Sequence, residues 1–456
     1  MSLLIINAVG LTPRLLPHAP RLSALAAAGG CIPLADVVPA VTCSAQATIL
    51  TGKSVQEHGI VGNGWLFRET GEVRFWQQSN RLIQAEPVYA TARRLAAAKG
   101  KEFRCAKLFW WFNQGADVAL SVTPKPYYGI DGSKVFGITG SPETLSPRLE
   151  RELGSFPFFT FWGPKAGLPC TEWIAAAGAS VLRQDRPDLT LVYLPHLDYD
   201  PQRFGPRGCD MPKLVRELDD ACAPLLAAAN ETGTAVWVVS EYGHCQVDQP
   251  VYLNRHLRQH GFLQVRGGPF GETLETFTSR AFAVCEHQVA HVYVNQSSDI
   301  PAVRSLLAEL PGVARCLVGE ERGEIALDHP RSGEIVVLSR PNSWFAYPFW
   351  LDDRLAPDYA RSVAIHHKPG YDPCELLIDP KIRFPMARVV KNVLKKKLGF
   401  RMTMNVIPLD ATLVRGSHGL PAIDAADGPL LIGSGQTDGV MPMTGVRDRI
   451  LAQLGL

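Results

Sequence analysis

The sequence predicts an α/β fold, a mostly parallel sheet sandwiched by helices, and three observations carry that prediction. Short apolar runs recur, each is followed by a turn rich in Gly, Pro or Ser, and the turns lead into stretches with helical spacing. Leu3–Ile6, Leu189–Leu194, Ala235–Val239 and Leu430–Ile432 are the clearest strands, rich in Val, Ile and Leu. Arg14–Ala28 has helical spacing through Leu15, Leu22 and Leu25 and stops at Gly29-Gly30; Met211–Ala229 and Pro301–Leu310 also predict helices. The core is expected to span 1–290 and to resume over 346–456. Residues 66–169, dense in aromatics such as Phe109 to Phe112, Tyr127-Tyr128 and Phe156 to Trp162, read as an insertion or lid. Such a cluster serves either as packed core or as a stacking surface for a substrate. Residues 291–345 read as a small α+β inset subdomain, with strands at Val292–Val294, Ile325–Leu327 and Ile335–Leu338 around the Pro301–Leu310 helix.

The chain has 456 residues, enough for about three domains at roughly 150 each or for one large core with insertions. Lys and Arg total 46 against 44 Asp and Glu, a formal net charge of +2. No global electrostatic footprint for coating nucleic acid is present. A hydrophobic content of 46% with 20% charged residues is that of a folded chain. The charge-free stretches Leu22–Ala35 and Val37–Gly52 fall short of the roughly 18–20 apolar residues that a transmembrane helix needs. The N-terminus enters Leu3-Leu4-Ile5-Ile6 at once, with no cationic segment or cleavage site ahead of an apolar stretch, so a cytoplasmic location is expected. Ten cysteines, none in a Cys-x-x-Cys pair, encode neither a disulfide framework nor a zinc knuckle.

In open parallel sheets, ligands gather beyond the carboxyl ends of the strands. Those ends carry Asn7, Asp198, Ser240-Glu241-Tyr242-Gly243-His244 and Ser434. Pro39 to Lys53 is the most informative segment, because it sets Thr42 in a turn before a helix, where unpaired backbone N–H groups can bind a phosphoryl oxygen. A helix cap is the other use of a Thr at such a place. Lys53 follows Thr51-Gly52 without the spacing of a phosphate-binding P-loop. Cys43 lies beside Thr42, but spacing assigns no base to it, so a thiol nucleophile is not expected.

The segment Pro39 to Lys53 with Glu57-His58-Gly59-Ile60-Val61-Gly62-Asn63, then Tyr193 to Asp198 running to Gly205-Pro206, then Val238 to Gly243, and finally Arg415-Gly416-Ser417-His418-Gly419, resembles the type I phosphodiesterase/nucleotide pyrophosphatase family. That family is part of the alkaline phosphatase superfamily, so the resemblance implies an alkaline-phosphatase-like fold. It implies a Thr nucleophile, Thr42, and two divalent cations that clamp a phosphoryl group. By the same resemblance, one cation would be held by Asn7, Thr42, Glu241 and Tyr242, and the other by Asp198, Gln202 and His418. Four positions depart from the family pattern. Asn7 replaces Asp, Gln202 replaces His, and Glu241-Tyr242 replaces Asp-His. Zinc prefers imidazole, thiolate and carboxylate to neutral amides, and a Tyr must lose a proton of pKa near 10 to bind metal well. The expected cofactor is therefore one or two divalent cations (Zn, Mn or Mg), or none at all.

Three nearby groups are candidates to substitute for the lost ligands: Asp200, His244 and the turn His366-His367-Lys368, whose imidazoles and ammonium are either ligands, substrate contacts or parts of a structural turn. The basic stretch 388–401 places Val390, Val393, Leu394 and Leu398 on one helical face with cations opposite. Such a helix is either a solvated face or a membrane-surface element. Two functions stay open. One is a metal-dependent hydrolase of phosphoesters, phosphodiesters or pyrophosphates, or a phosphoryl transferase, acting on a phosphorylated small molecule. The other is a catalytically altered relative that binds a small ligand or serves as a partner in a biosynthetic pathway.

Overall fold

A computed structural model describes residues 2–130, 133–398 and 402–456. Nine strands form the central sheet: β1 (Leu3–Ala8), β2 (Cys31–Ala35), β3 (Cys105–Leu108), β4 (Leu120–Tyr128), β5 (Lys134–Ser141), β6 (Leu189–Leu194), β7 (Ala235–Val239), β12 (Leu430–Ile432) and β13 (Met441–Pro442). A second, four-stranded sheet comprises β8 (Ala281–Glu286), β9 (Val289–Val294), β10 (Val313–Val318) and β11 (Ile335–Ser339). The central order is β13-β2-β12-β7-β1-β6-β3-β4-β5. Strands β7, β1, β6, β3 and β4 run parallel, whereas β12 is antiparallel to β7 and β5 to β4.

All six residues of β1 are buried, which explains its apolar run: a central parallel strand has both faces covered. Each fully buried Leu or Ile there contributes roughly 1.5–3 kcal/mol of transfer free energy. The register aligns Asn7 with Tyr193 on one side and Val239 on the other, so three strands end level with one another. Helices α1 (Pro20–Gly29), α2 (Thr42–Thr51), α3 (Leu168–Asp185) and α4 (Met211–Thr232) flank this sheet, with α3 packed on α4. The expected helix at Arg14 begins instead at Pro20, after a short turn at Leu16–His18, because Pro17 and Pro20 break the earlier spacing and Pro20 suits a first helical turn.

The aromatic segment 66–169 is woven into the core. It supplies β3, β4 and β5, and Phe109, Trp110 and Phe156 belong to the same apolar cluster as β1. The second sheet, ordered β8-β9-β11-β10 and antiparallel throughout, has its own core with α5 (Ile300–Ala308). It begins at Ala281, so a boundary at 291 falls inside it. The strand expected at Ile325–Leu327 is absent; a 3-10 helix spans Gly319–Ile325, and the partner strand is β10. Glu321 folds back to accept the Val318 N–H at 2.9 Å, which starts the helical turns before the apolar triplet can extend.

The His366-His367-Lys368 turn divides. Lys368 is buried, and its ammonium reaches Asp372 at 2.6 Å and Glu375 at 2.7 Å. Burial opposes its charge, but the two carboxylates outweigh that and hold its pKa above the ordinary value. His366 and His367 are exposed, the former with Nδ1 at 3.4 Å from the Phe75 carbonyl. Lys368 therefore neutralises two carboxylates in the interior. Lys368→Met should lower stability by about 3–5 kcal/mol in denaturant unfolding, since it strands two buried anions; a loss like the roughly 1 kcal/mol or less of a surface pair would contradict this.

Candidate active site

The site lies where β1, β6 and β7 end. Each strand delivers one group: Asn7 as the last residue but one of β1, Asp198 in the 3-10 turn His196–Asp198 after β6, and Glu241 two residues after β7. Thr42 is the first residue of α2 and is buried. His418 follows the two-residue strand Gly416–Ser417, which pairs with Cys245–Gln246. The turn before Thr42 is tied to this segment, with the Ala40 N–H donating to the Gly419 carbonyl at 2.9 Å and His418 Nδ1 donating to the Ala40 carbonyl at 2.7 Å. Close packing demands glycine twice. A Cβ at Gly243 would lie 1.8 Å from the Asp427 carbonyl oxygen, and one at Gly416 would lie 1.9 Å from that of Pro201.

Asp198, His244 and His418 form one cluster whose ligating atoms lie within 4.8 Å of one another. His244 Nε2 is 3.1 Å and His418 Nε2 3.7 Å from Asp198 Oδ1. Because the His418 proton sits on Nδ1, its Nε2 carries a lone pair, and that buried atom has no hydrogen-bond partner in the structure. Burial, followed by the neighbouring His287, pushes His418 well below the usual imidazole range, so the ring is neutral. Burial works against the Asp198 carboxylate, but the hydrogen bond from His244 leads the groups that outweigh it and leave its pKa lowered. A carboxylate and two imidazoles, one with an unspent lone pair, fit a divalent cation.

Thr42 Oγ1 lies 3.0 Å from the Tyr242 hydroxyl, which donates to Asp198 Oδ1 at 3.1 Å. Tyr242 also stacks on His418, with ring centres 3.8 Å apart and planes at 8°. Its pKa is driven further above the ordinary phenol value, by burial first and then by Asp198, so it sits there as a protonated donor. On the other side of Thr42, Glu241 Oε1 accepts Asn7 Nδ2 at 2.5 Å and Gln46 Nε2 at 2.8 Å. Burial pushes Glu241 up to about 8. Asn7 thus spends its amide N–H on Glu241, whereas Asn7 Oδ1 and Glu241 Oε2 are buried without a partner, and the Asn7–Gln46–Glu241 group contains no imidazole. Gln202 is also occupied: Tyr371 donates to its Oε1 at 2.6 Å, and its Nε2 donates to the Asp198 backbone carbonyl at 2.8 Å. Asp200 pairs with Arg203 at 2.6 Å, away from the cluster.

The structure also brings in residues that the sequence did not single out. Asn63 Oδ1 accepts the Cys43 N–H at 2.9 Å, so that helix N-terminal donor is taken, while Asn63 Nδ2 is buried without a partner. Its place at the end of the His58-Gly59-Ile60 motif was the available signal. His287, in the two-residue turn between β8 and β9, lies between His418 and Tyr371, with ring centres at 3.6 and 4.0 Å. It holds φ at +50°, a left-handed conformation that costs a non-glycine residue on the order of 1 kcal/mol. Nothing local in the sequence marks it, because the stack joins three distant segments. Glu286, beside it, accepts the Asn63 backbone N–H with both oxygens, at 3.0 and 2.9 Å.

Burial raises Glu286 from an ordinary 4.5 to about 8. Between those two pH values the folded chain keeps a proton that the unfolded chain has released, so this group's contribution to stability falls as pH rises through the window and is level above about 8. Glu286→Gln removes the titration. Its stability relative to the parent should improve from pH 5 to pH 8 by at most about 1.4 kcal/mol per unit, read by urea unfolding at each pH. A difference independent of pH would contradict it.

The fold is alkaline-phosphatase-like. Within that class, residues 3–372 match the family Type I phosphodiesterase / nucleotide pyrophosphatase, and the chain belongs to it. Among solved structures, phosphonoacetate hydrolase from Sinorhizobium meliloti 1021, in complex with phosphonoformate, is similar, with 16% identity, a TM-score of 0.60 and coverage of 100% of this chain and 96% of that one. Murine ectonucleotide pyrophosphatase / phosphodiesterase 5 is similar with 13% identity, a TM-score of 0.57 and coverage of 100% and 95%. At these identities the likeness is one of fold. No curated protein matches the sequence. No described helix is long and apolar enough to cross a membrane.

Proposed function

We propose that this chain hydrolyses, or transfers, a phosphoryl group of a small phosphorylated molecule, with Thr42 as nucleophile and a single divalent cation held by Asp198, His244 and His418. The observation that carries the reading is the hydrogen-bond chain from Thr42 through Tyr242 to Asp198, set beside two imidazoles with one unspent lone pair. The cation, when bound, supplies Lewis-acid stabilisation of charge on the phosphoryl oxygens.

The protein's own groups do the rest. Thr42 Oγ1 attacks phosphorus and passes its proton to the Tyr242 oxygen as the Tyr242 proton moves toward Asp198. The bond from phosphorus to the leaving-group oxygen breaks as a phosphothreonine forms, that oxygen takes up the proton relayed to Asp198, and water then attacks phosphorus, giving one proton back to Thr42 Oγ1 as the Thr42–phosphorus bond breaks. Asn63 Nδ2, its amide fixed by the Cys43 N–H, donates to a phosphoryl oxygen. Asn7 and Gln46 hold Glu241 beside Thr42 by donating to its Oε1, and a group with two neutral amides and no imidazole is a poor cation site even with Glu241 Oε2 unpartnered.

Turnover of bis-p-nitrophenyl phosphate, p-nitrophenyl phosphate and a phosphonate ester, each with Mn²⁺, Mg²⁺, Zn²⁺ or chelator, tests the reading. Cation-dependent release of product from one of these substrates is expected. A protein that binds no cation and turns over none of them would leave the ligand-binding alternative.

A further inference from the structure

Helix α6 (Pro385–Lys397) presents an apolar face to solvent. At about 100° per residue, Met386, Val390, Val393 and Leu394 fall in one arc of roughly 100°. They are 66%, 53%, 41% and 54% exposed, far from core values. Val389 and Asn392, about 40° and 100° beyond Val393, attach the helix to the body: Val389 packs on the small apolar cluster that includes Val406 and Ile407, and Asn392 Nδ2 donates to the Thr403 carbonyl at 3.2 Å. The apolar arc therefore begins beside the attachment at Val393 and turns away from it into solvent through Met386, Val390 and Leu394. Phe384 before the helix and Leu398 after it, 65% and 72% exposed, extend the same surface. Arg388, Lys391 and Lys395, all exposed, lie about 60° to 120° beyond Leu394, on the side of the helix opposite Met386 and Val393. No acidic residue occurs between Asp379 and Asp410. The part of the basic stretch at 399–401 lies outside the described residues.

We propose that α6 is a docking surface for an anionic phospholipid bilayer, lying in the plane of the interface with Met386, Val390, Val393 and Leu394 among the acyl chains. The charge decides the occupant. An exposed apolar stripe with cations on the polar face of the same helix matches a surface that is apolar below and negative at its headgroups. A second copy of this chain meeting the same face would offer these cations no acidic partner from residues 380–409. The surface is separate from the strand-end cluster, so the inference is independent of the proposed function.

Sedimentation of the full chain with vesicles of phosphatidylcholine alone, and with equimolar phosphatidylcholine and phosphatidylglycerol, tests it. Binding to the anionic vesicles, weakened by salt, is expected, with little binding to the neutral ones. Each cation near such a surface contributes about a factor of five, so Arg388→Gln with Lys391→Gln and Lys395→Gln should weaken binding on the order of 100-fold. Val390→Asp with Leu394→Asp should abolish it. These positions are exposed, and unchanged thermal unfolding of both variants is the folding control. Absence of binding to anionic vesicles at low salt, or equal binding by the parent and both variants, overturns the proposal. So does a parent dimer that the Asp variant dissociates while vesicle binding persists.

Discussion

A Thr42→Ala protein is expected to fold like the parent and to lose at least about a thousandfold in turnover of whichever phosphoester probe the parent cleaves. Two features make the fold insensitive to the change. Thr42 opens α2, where its side chain makes no cap to the helix backbone, and Ala is the best helix former. Its hydroxyl meets the Tyr242 hydroxyl, which keeps its own bond to Asp198 when the Thr oxygen is gone. Activity is expected to be sensitive for the opposite reason: on the proposed mechanism Thr42 is the nucleophile, and the neighbouring thiol cannot replace it. Cys43, next in the chain, is driven far above its ordinary pKa by burial and then by Glu286 and Glu241, and stays a thiol. Thr42→Ser, which restores the hydroxyl, should recover most of the rate. Turnover by Thr42→Ala within about tenfold of the parent would remove Thr42 from the mechanism.

The second large effect is on cation binding. His418→Ala should weaken divalent-cation affinity by more than about 100-fold, since outer-shell partners alone are worth 10–100-fold and His418 is argued to be a ligand. The geometry prepares this ring for the role. Ala40 fixes its tautomer, and Tyr242 and His287 fix its plane from both sides. Asp198→Asn should act in the same direction, because it removes the one carboxylate at hydrogen-bond distance from His244. Isothermal titration with Mn²⁺ and Zn²⁺ measures both, and an affinity within threefold of the parent in either variant would contradict the assignment.

The central strands were legible in the sequence because β1, β6 and β7 are buried on both faces and so read as unbroken apolar runs. Their order placed Asn7, Asp198 and Glu241 at one edge, which follows from strand ends alone. His244 was visible as a nearby imidazole, but its approach to Asp198 depends on Gly243 packing against the Asp427 backbone, a contact between segments far apart in the chain. Gln202 illustrates the converse. Its position predicts a ligand, whereas its amide oxygen is taken by Tyr371, which arrives from a segment 169 residues away. Lys368 looked like part of a reactive turn because the sequence does not disclose that Asp372 and Glu375 enclose it. The aromatic stretch was misplaced for a related reason: β3 is only four residues long, too short for its period to stand out beside Phe109 and Trp110.

On the proposed reading, one cation site persists in Asp198, His244 and His418, while the other side holds Glu241 Oε1 through the Asn7 and Gln46 amides and takes no cation. Metal content of the full chain, saturated with Zn²⁺ or Mn²⁺ and freed of excess by dialysis, tests this most directly. The account predicts one equivalent per chain, lost in His418→Ala. Two equivalents per chain, or one equivalent that persists in His418→Ala, would contradict it.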